Sequence, residues 1–248
     1  MSQNIYDNET FFKSYSLLPR SIKGYEFSYE WPYIKSLLPE IKNKKILDLG
    51  CGYGWFCREA VKMGCKKIYG FDISKRMLKR AKELEKLEPQ IDISKIVDDD
   101  DNYLKFDFAL GVFIFHYIKN IEDLFQKIFK SLNNGGSLVF SVEHPIYMAS
   151  KYPGYGWTPL NKGNEEELVW PVSHYSYEGE RTRTWLGVEG IKKQHRTIGT
   201  YINLLIKVGF TIDHVNEWSP NDNQIREFQL LSRERERPII LIIKAIKK

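Results

Sequence analysis

Asp48, the glycines at 50, 52 and 54, and Asp72 are the residues whose types and spacing could do chemistry. Glycine at every second position permits a turn with positive φ angles and lets a ligand lie against bare main chain. Asp48 precedes that turn, and Cys51 sits inside it as a small side chain. Asp72 lies 22 residues after Gly50, with Ile73 behind it, in place to accept hydrogen bonds from ribose hydroxyls. The chemistry this suits is the binding of a nucleoside. A dinucleotide fingerprint, Gly-x-Gly-x-x-Gly, would put its third glycine at 55, where this chain has Trp55.

Such a turn works only if a strand feeds it and a helix leaves it. A buried strand is predicted over 44–49, a helix over 54–63 and a second strand over 67–72. Ser74 is placed to cap a helix whose apolar positions, Met77, Leu78, Ala81, Leu84 and Leu87, repeat at helical spacing until Pro89. The third strand draws on Ile91, Ile93, Ile96 and Val97, and the fourth is the nearly continuous apolar run from Phe106 to Phe115. Asn120 is placed to cap a helix carrying Ile121, Leu124, Phe125, Ile128, Phe129 and Leu132, which Asn133–Gly136 should end. The fifth strand is 137–142. Helical periodicity returns over 198–208, and 211–218 with 238–246 read as a closing antiparallel pair. The fold class is therefore α/β, a Rossmann-like, mostly parallel sheet with helices on both faces and a terminal antiparallel hairpin.

Two segments fall outside this alternation. Residues 1–40 are dense in aromatics, which predicts an N-terminal cap over the nucleoside corner. Residues 144–194 are rich in Pro, Gly, Trp and Tyr, without a sustained period to about 190, which predicts a lid overhanging the carboxyl edge of the sheet. Its Tyr147, Trp157, Tyr175 and Trp185 are candidates for a substrate pocket, or else the insertion's private core. His116 and His144 fall at the carboxyl ends of strands four and five, and His195 at the start of the helix after the insertion. Each is a candidate general base near neutral pH, with a structural role as the competing reading. A single domain spans 1–248.

The turn, Asp48 and the acidic end of strand two resemble the motifs of class I S-adenosylmethionine (SAM) methyltransferases. The likeness extends through Tyr15-Ser-Leu-Leu-Pro-Arg-Ser21, Glu30-Trp-Pro32, Leu47-Asp-Leu-Gly-Cys-Gly-Tyr-Gly-Trp-Phe-Cys57, Phe115-His-Tyr-Ile118, Leu138-Val-Phe-Ser-Val-Glu-His-Pro-Ile146, His195-Arg-Thr-Ile-Gly-Thr-Tyr201 and Arg237-Pro238. It covers nearly the whole chain and is similar to the bacterial type-11, ubiquinone-biosynthesis-like group. The resemblance implies a seven-stranded sheet and a SAM site made by Asp48, Gly50, Gly52 and Asp72, with S-adenosylhomocysteine (SAH) as product. Cys51, Gly54 and Ile73 adjoin that site; Arg20, beside Tyr15 in the cap, is a candidate partner for the carboxylate of SAM, and one of Asp98–Asp101, with Asp98 and Asp99 foremost, for the adenine amino group. In this chain the stretch before Phe106-Asp107 is shorter than the family's usual one.

Composition narrows the partners. The net charge is +5, and the basic residues are scattered, which disfavours nucleic acid. No Asn/Asp-Pro-Pro-Tyr follows strand four, and all three cysteines lie before residue 66, away from where base-methylating chemistry would need one. The cysteines offer no zinc or disulfide framework, no metal is called for, and no apolar run is long enough to cross a membrane. A polar N-terminus and the cysteine usage suggest a cytoplasmic protein. The expected function is methyl transfer from SAM to an O or N atom of a small molecule. The alternatives are a non-catalytic SAM-binding protein, a nucleotide-dependent oxidoreductase and an RNA methyltransferase. The sequence does not specify an oligomeric state.

Overall fold

A computed structural model describes residues 3–84, 91–94, 104–152, 156–161 and 164–248. Leu87, Pro89, Ile96, Val97 and the aspartates 98–101, Asp98 and Asp99 included, lie outside the described residues. Three short helices open the chain: α1 (Glu9–Ser16), α2 (Pro19–Lys23) and α3 (Trp31–Ser36). The alternating part follows as β1 (Lys45–Leu49), α4 (Trp55–Lys62), β2 (Lys67–Phe71), α5 (Lys75–Leu84), β3 (Ile91–Ser94), β4 (Phe106–Val112), α6 (Ile121–Ser131) and β5 (Leu132–Glu143). The insertion holds α7 (Pro145–Met148), β6 (Thr158–Asn161), β7 (Asn164–Val169), β8 (Gly179–Trp185) and β9 (Val188–His195). The chain closes with α8 (Ile198–Val208), β10 (Thr211–Trp218), α9 (Asp222–Glu227), α10 (Arg233–Glu236) and β11 (Ile240–Ile246).

Seven strands form one sheet in the order β10-β11-β5-β4-β1-β2-β3. β11 runs antiparallel to both neighbours, and the remaining pairs are parallel. Alternation along the central strands divides the core into two layers. Val139, Ile240 and Ile242 face a layer with Phe56, Ala60, Leu78 and Ala81 from α4 and α5. Leu138, Phe140, Leu241 and Ile243 face the other, with Phe125 and Ile128 of α6 and Tyr201 and Leu205 of α8. The helix ends follow local chemistry. Asn120 caps α6 by accepting from Asp123 N, Thr197 caps α8 by accepting from Thr200 N, and Gly209 ends α8 at φ 114°.

Four expectations are corrected. Strand four stops at Val112, because Phe113 turns to φ 56° and Phe115–Tyr117 form a 3-10 turn that carries His116. Helix α6 ends at Ser131, whose hydroxyl bonds Ile128 O, and buried Leu132 already pairs with Phe106 in the sheet. Asn133–Gly136 therefore lie within β5, where Gly135 takes the left-handed conformation at φ 78°. His195 ends β9 rather than starting the next helix.

The insertion, expected to lack a period, contains two antiparallel pairs, β6–β7 and β8–β9. The second is a hairpin turned by Leu186 and Gly187, at φ 53° and 75°, between the paired Trp185 and Val188. Its buried positions include Arg181 and Lys193, so its inward face is charged and hides the apolar alternation of an ordinary strand. The hairpin packs on the N-terminal segment through Ile5, Phe11 and Ile191, with Tyr6, Tyr15, Tyr117 and Trp185 around them.

Candidate active site

The turn after β1 is fastened to the end of β2. Gly50 N and Cys51 N both donate to Phe71 O, at 2.7 and 3.0 Å, and Gly54 N donates to Cys51 O at 2.8 Å. Gly50, Gly52 and Gly54 stand at φ 68°, 53° and 73°, so the spacing seen in the sequence is one of left-handed conformations. At Gly50 an added Cβ would meet Ile114 Cδ1 at 2.9 Å, whereas at Gly52 it would meet nothing within 4 Å. The second glycine thus presents bare backbone to open space. Gly54 is the N-cap of α4.

Two carboxylates flank this turn. Asp72 accepts from Gly52 N at 3.0 Å through Oδ2 and from Ser74 N at 2.8 Å through Oδ1. An ionised carboxylate has about four acceptor sites, so each oxygen keeps capacity for a ligand hydroxyl. Burial raises its pKa to about 6 against the pull of those N–H donors. Asp48 is 4% exposed, and burial raises its pKa to about 7, with the charge of Asp72 adding to the effect and the Cys57 thiol, 3.4 Å from its Oδ2, opposing it. Ile73 is exposed beside Asp72, and its carbonyl accepts from Asn4.

The N-terminal segment forms the opposite wall. Tyr15, Arg20, Gly24 and Tyr25 line a cavity with Gly50–Tyr53 that encloses about 490 Å³, open mouth included. Gly24, at φ 64°, allows the close seat, since a Cβ there would lie 2.5 Å from the Trp55 ring. The Arg20 guanidinium stands 3.8 Å from Glu30 and 5.2 Å from the centre of the Phe113 ring. Tyr25 belongs to the aromatic cap and Tyr53 to the glycine turn that the sequence shows, whereas Gly24 has no signal there, because an isolated glycine does not announce a ligand.

Beyond Tyr15 the carboxyl ends of β4 and β5 bring together His116, Tyr117 and Glu143. Lys193 of the hairpin reaches across to form an ion pair with Glu143 Oε1. Its ammonium also lies 5.5 Å from the ring centre of Tyr117 and 5.4 Å from that of Trp185. Trp185 in turn meets Tyr15 edge-on. Burial is the largest influence on Glu143 and opposes its ionisation, but the charge and hydrogen bond of Lys193, with His116 and Arg183 adding to them, together hold the pKa below the usual carboxylate value. His116 Nδ1 accepts from Glu143 N at 3.3 Å, and burial lowers the imidazole to about 3, so it is neutral. Glu143 had a faint signal, an acid between an apolar strand and a histidine; Lys193, in a segment without period, had none.

The other two histidines are held elsewhere. His144 Nδ1 accepts from Ile146 N, capping α7, while Nε2 bonds Glu217 Oε1 at 2.8 Å, so both nitrogens are occupied. His195 is buried, and its Nε2 donates to Tyr175 O at 2.8 Å. Burial lowers the pKa of both rings. Tyr147, Trp157 and Trp170 do form an aromatic box, but the chain's own Arg237 fills it, with its guanidinium 5.0, 5.5 and 4.2 Å from the three ring centres. Tyr175 packs edge-on against His195. Among the four aromatics singled out in the insertion, Trp185 is the one that reaches the cavity wall.

Comparison with known proteins agrees with this geometry. A family model for a methyltransferase domain matches residues 28–215. A crystal structure of an S-adenosylmethionine-dependent methyltransferase from Mesorhizobium loti is 39% identical, covers 90% of this chain and all of its own, and superposes with a TM-score of 0.80. A second solved structure, from Listeria monocytogenes, is 36% identical over 89% of this chain and 99% of its own, with a TM-score of 0.77. A protein from Haemophilus influenzae, itself uncharacterised, is 34% identical over 98% of this chain and 97% of its own length.

Proposed function

The chain belongs to the class I SAM-dependent methyltransferases, and from that premise we propose that it methylates an oxygen or nitrogen of a small molecule held at the carboxyl ends of β4 and β5. The cavity suits the cofactor, since Gly52 offers open backbone and Asp72 a carboxylate with lone pairs to spare. In this reading the Gly50–Gly54 turn, Cys51 included, cradles the nucleoside, and Asp72 accepts from its ribose hydroxyls. Asp48 supplies negative charge beneath the turn, and Arg20 and Tyr15 close the site from the N-terminal segment. Bound SAM supplies a methyl group on a positively charged sulfur, already electrophilic. The protein's tasks are to align an acceptor atom and to exclude water. No histidine is asked to act as base here. His144 has both nitrogens bonded, the acceptor nitrogen of His116 is taken by Glu143 N, and His195 is anchored to Tyr175.

The observation that carries this reading is the hydrogen bond from Gly52 N to Asp72, which joins the ribose-type carboxylate to the open turn. Asp72→Ala should weaken SAH binding by about 10–100-fold, the cost of losing hydrogen bonds to a charged group. Calorimetric titration checks it, with circular dichroism to establish folding. A folded variant with unchanged affinity would refute the assignment.

A further inference from the structure

Glu143 carries a feature that cofactor binding leaves unused. Its Oε1 pairs with Lys193, while its Oε2 is closed off from solvent and has no hydrogen-bond partner among the described residues. A buried ionised oxygen without a donor costs stability, and native proteins retain few such atoms. The surroundings limit what could donate to it. The Glu143–Lys193 pair is neutral as a unit, and His116 is uncharged. Arg183 is near enough to lower the pKa of Glu143, and Arg196 that of His116, so a cationic ligand would be repelled. The neighbouring faces are rings: Tyr117 and Trp185 flank the ammonium, and His116 lies 4.5 Å from Tyr117, centre to centre. Tyr15, which lines the cofactor cavity, touches Trp185.

We propose that Glu143 recognises the methyl acceptor, accepting a hydrogen bond at Oε2 from the hydroxyl or amino hydrogen of a neutral aromatic molecule. The inference rests on the function proposed above and adds the acceptor's chemistry to it. Lys193 positions the carboxylate and belongs to the β8–β9 hairpin, so the hairpin contributes a wall of the acceptor site.

The test measures binding rather than turnover. Phenol, aniline and anisole are titrated by ligand-observed NMR into the full chain saturated with SAH. Anisole has the ring but no hydrogen to donate. Phenol and aniline should each bind at least about tenfold tighter than anisole, the difference expected for a hydrogen bond to a charged acceptor. The double variant Glu143→Leu/Lys193→Met replaces the pair with apolar side chains and so leaves no unpaired buried charge. It should bind all three probes alike while keeping SAH affinity within about twofold, as for a separate site. The proposal is overturned if the wild-type chain, with SAH bound, binds none of the probes at millimolar concentration or does not distinguish phenol from anisole. Discrimination that persists in the double variant overturns it as well. If the double variant does not fold, the wild-type comparison decides alone. Failure to bind SAH would instead refute the cofactor assignment.

Discussion

Asp48 carries a stability cost at the base of the proposed cofactor turn. Burial raises its pKa from 3.8 to about 7, so the folded protein holds that proton more tightly than the unfolded chain does. By linkage, the destabilisation is absent below about pH 4, grows between the two values and is complete above about pH 7. A shift of that size corresponds to at most roughly 4 kcal/mol at pH 8. Asp48→Asn should therefore raise the melting temperature at pH 8, leave it unchanged near pH 4, and weaken SAM binding by about tenfold through the lost negative charge. Scanning calorimetry at the two pH values and titration with SAM measure both arms. Equal stabilisation at both pH values would refute the linkage argument. Asp48, Asp72 and the glycines were legible in the sequence because backbone geometry demands glycine at positive φ and a strand's end fixes where its last side chain stands. Glu143 was legible only faintly and Lys193 not at all, because an ion pair 50 residues apart leaves no local periodicity.

At the scale of elements, the parallel units were readable since their strands are buried on both faces and their helices repeat apolar residues every three or four positions. The β8–β9 hairpin broke both rules. Arg181 is 2% exposed and is anchored by main-chain carbonyls instead of an acid: its Nε donates to Ala149 O at 2.9 Å, and its Nη2 to the carbonyls of Tyr177 and His174 at 2.5 and 3.3 Å. One arginine thus ties the hairpin to the segments on either side of the β6–β7 pair, a role that sequence pattern cannot distinguish from a solvated charge. Arg181→Met should leave those carbonyls unsatisfied and loosen the insertion by about 2–3 kcal/mol. Hydrogen exchange should then speed up in β8 and β9 and stay slow in β1, β4 and β5. Uniform acceleration would mean that the hairpin and the sheet unfold as one unit.

Taken as a whole, the strand order places β1 between β2 and β4, where the chain reverses its progress across the sheet. Ligands of open α/β sheets bind outside the carboxyl ends of the strands at such a reversal. Here that crevice is roofed from two sides, by the N-terminal helices and by the β8–β9 hairpin, which meet at Ile5, Phe11 and Ile191. That shared cluster is small and rich in edge-on aromatic contacts, such as Phe11 with Trp185 and Tyr6 with Tyr15. Tyr15, Arg20 and Tyr25 of the roof line the cavity, so a ligand seated there would meet them. Binding should consequently order the roof more than the sheet. SAH at one hundred times its Kd adds about 2.7 kcal/mol, which for a chain of this size raises Tm by roughly 5–11 °C. Amides of residues 9–27 and 185–193 should gain the most exchange protection. NADH should do neither, because Trp55 occupies the place of a dinucleotide motif's third glycine. A thermal shift with NADH matching that with SAH would overturn the cofactor assignment; a normal shift with protection confined to the strands would leave SAH in the crevice and remove the roof from its binding.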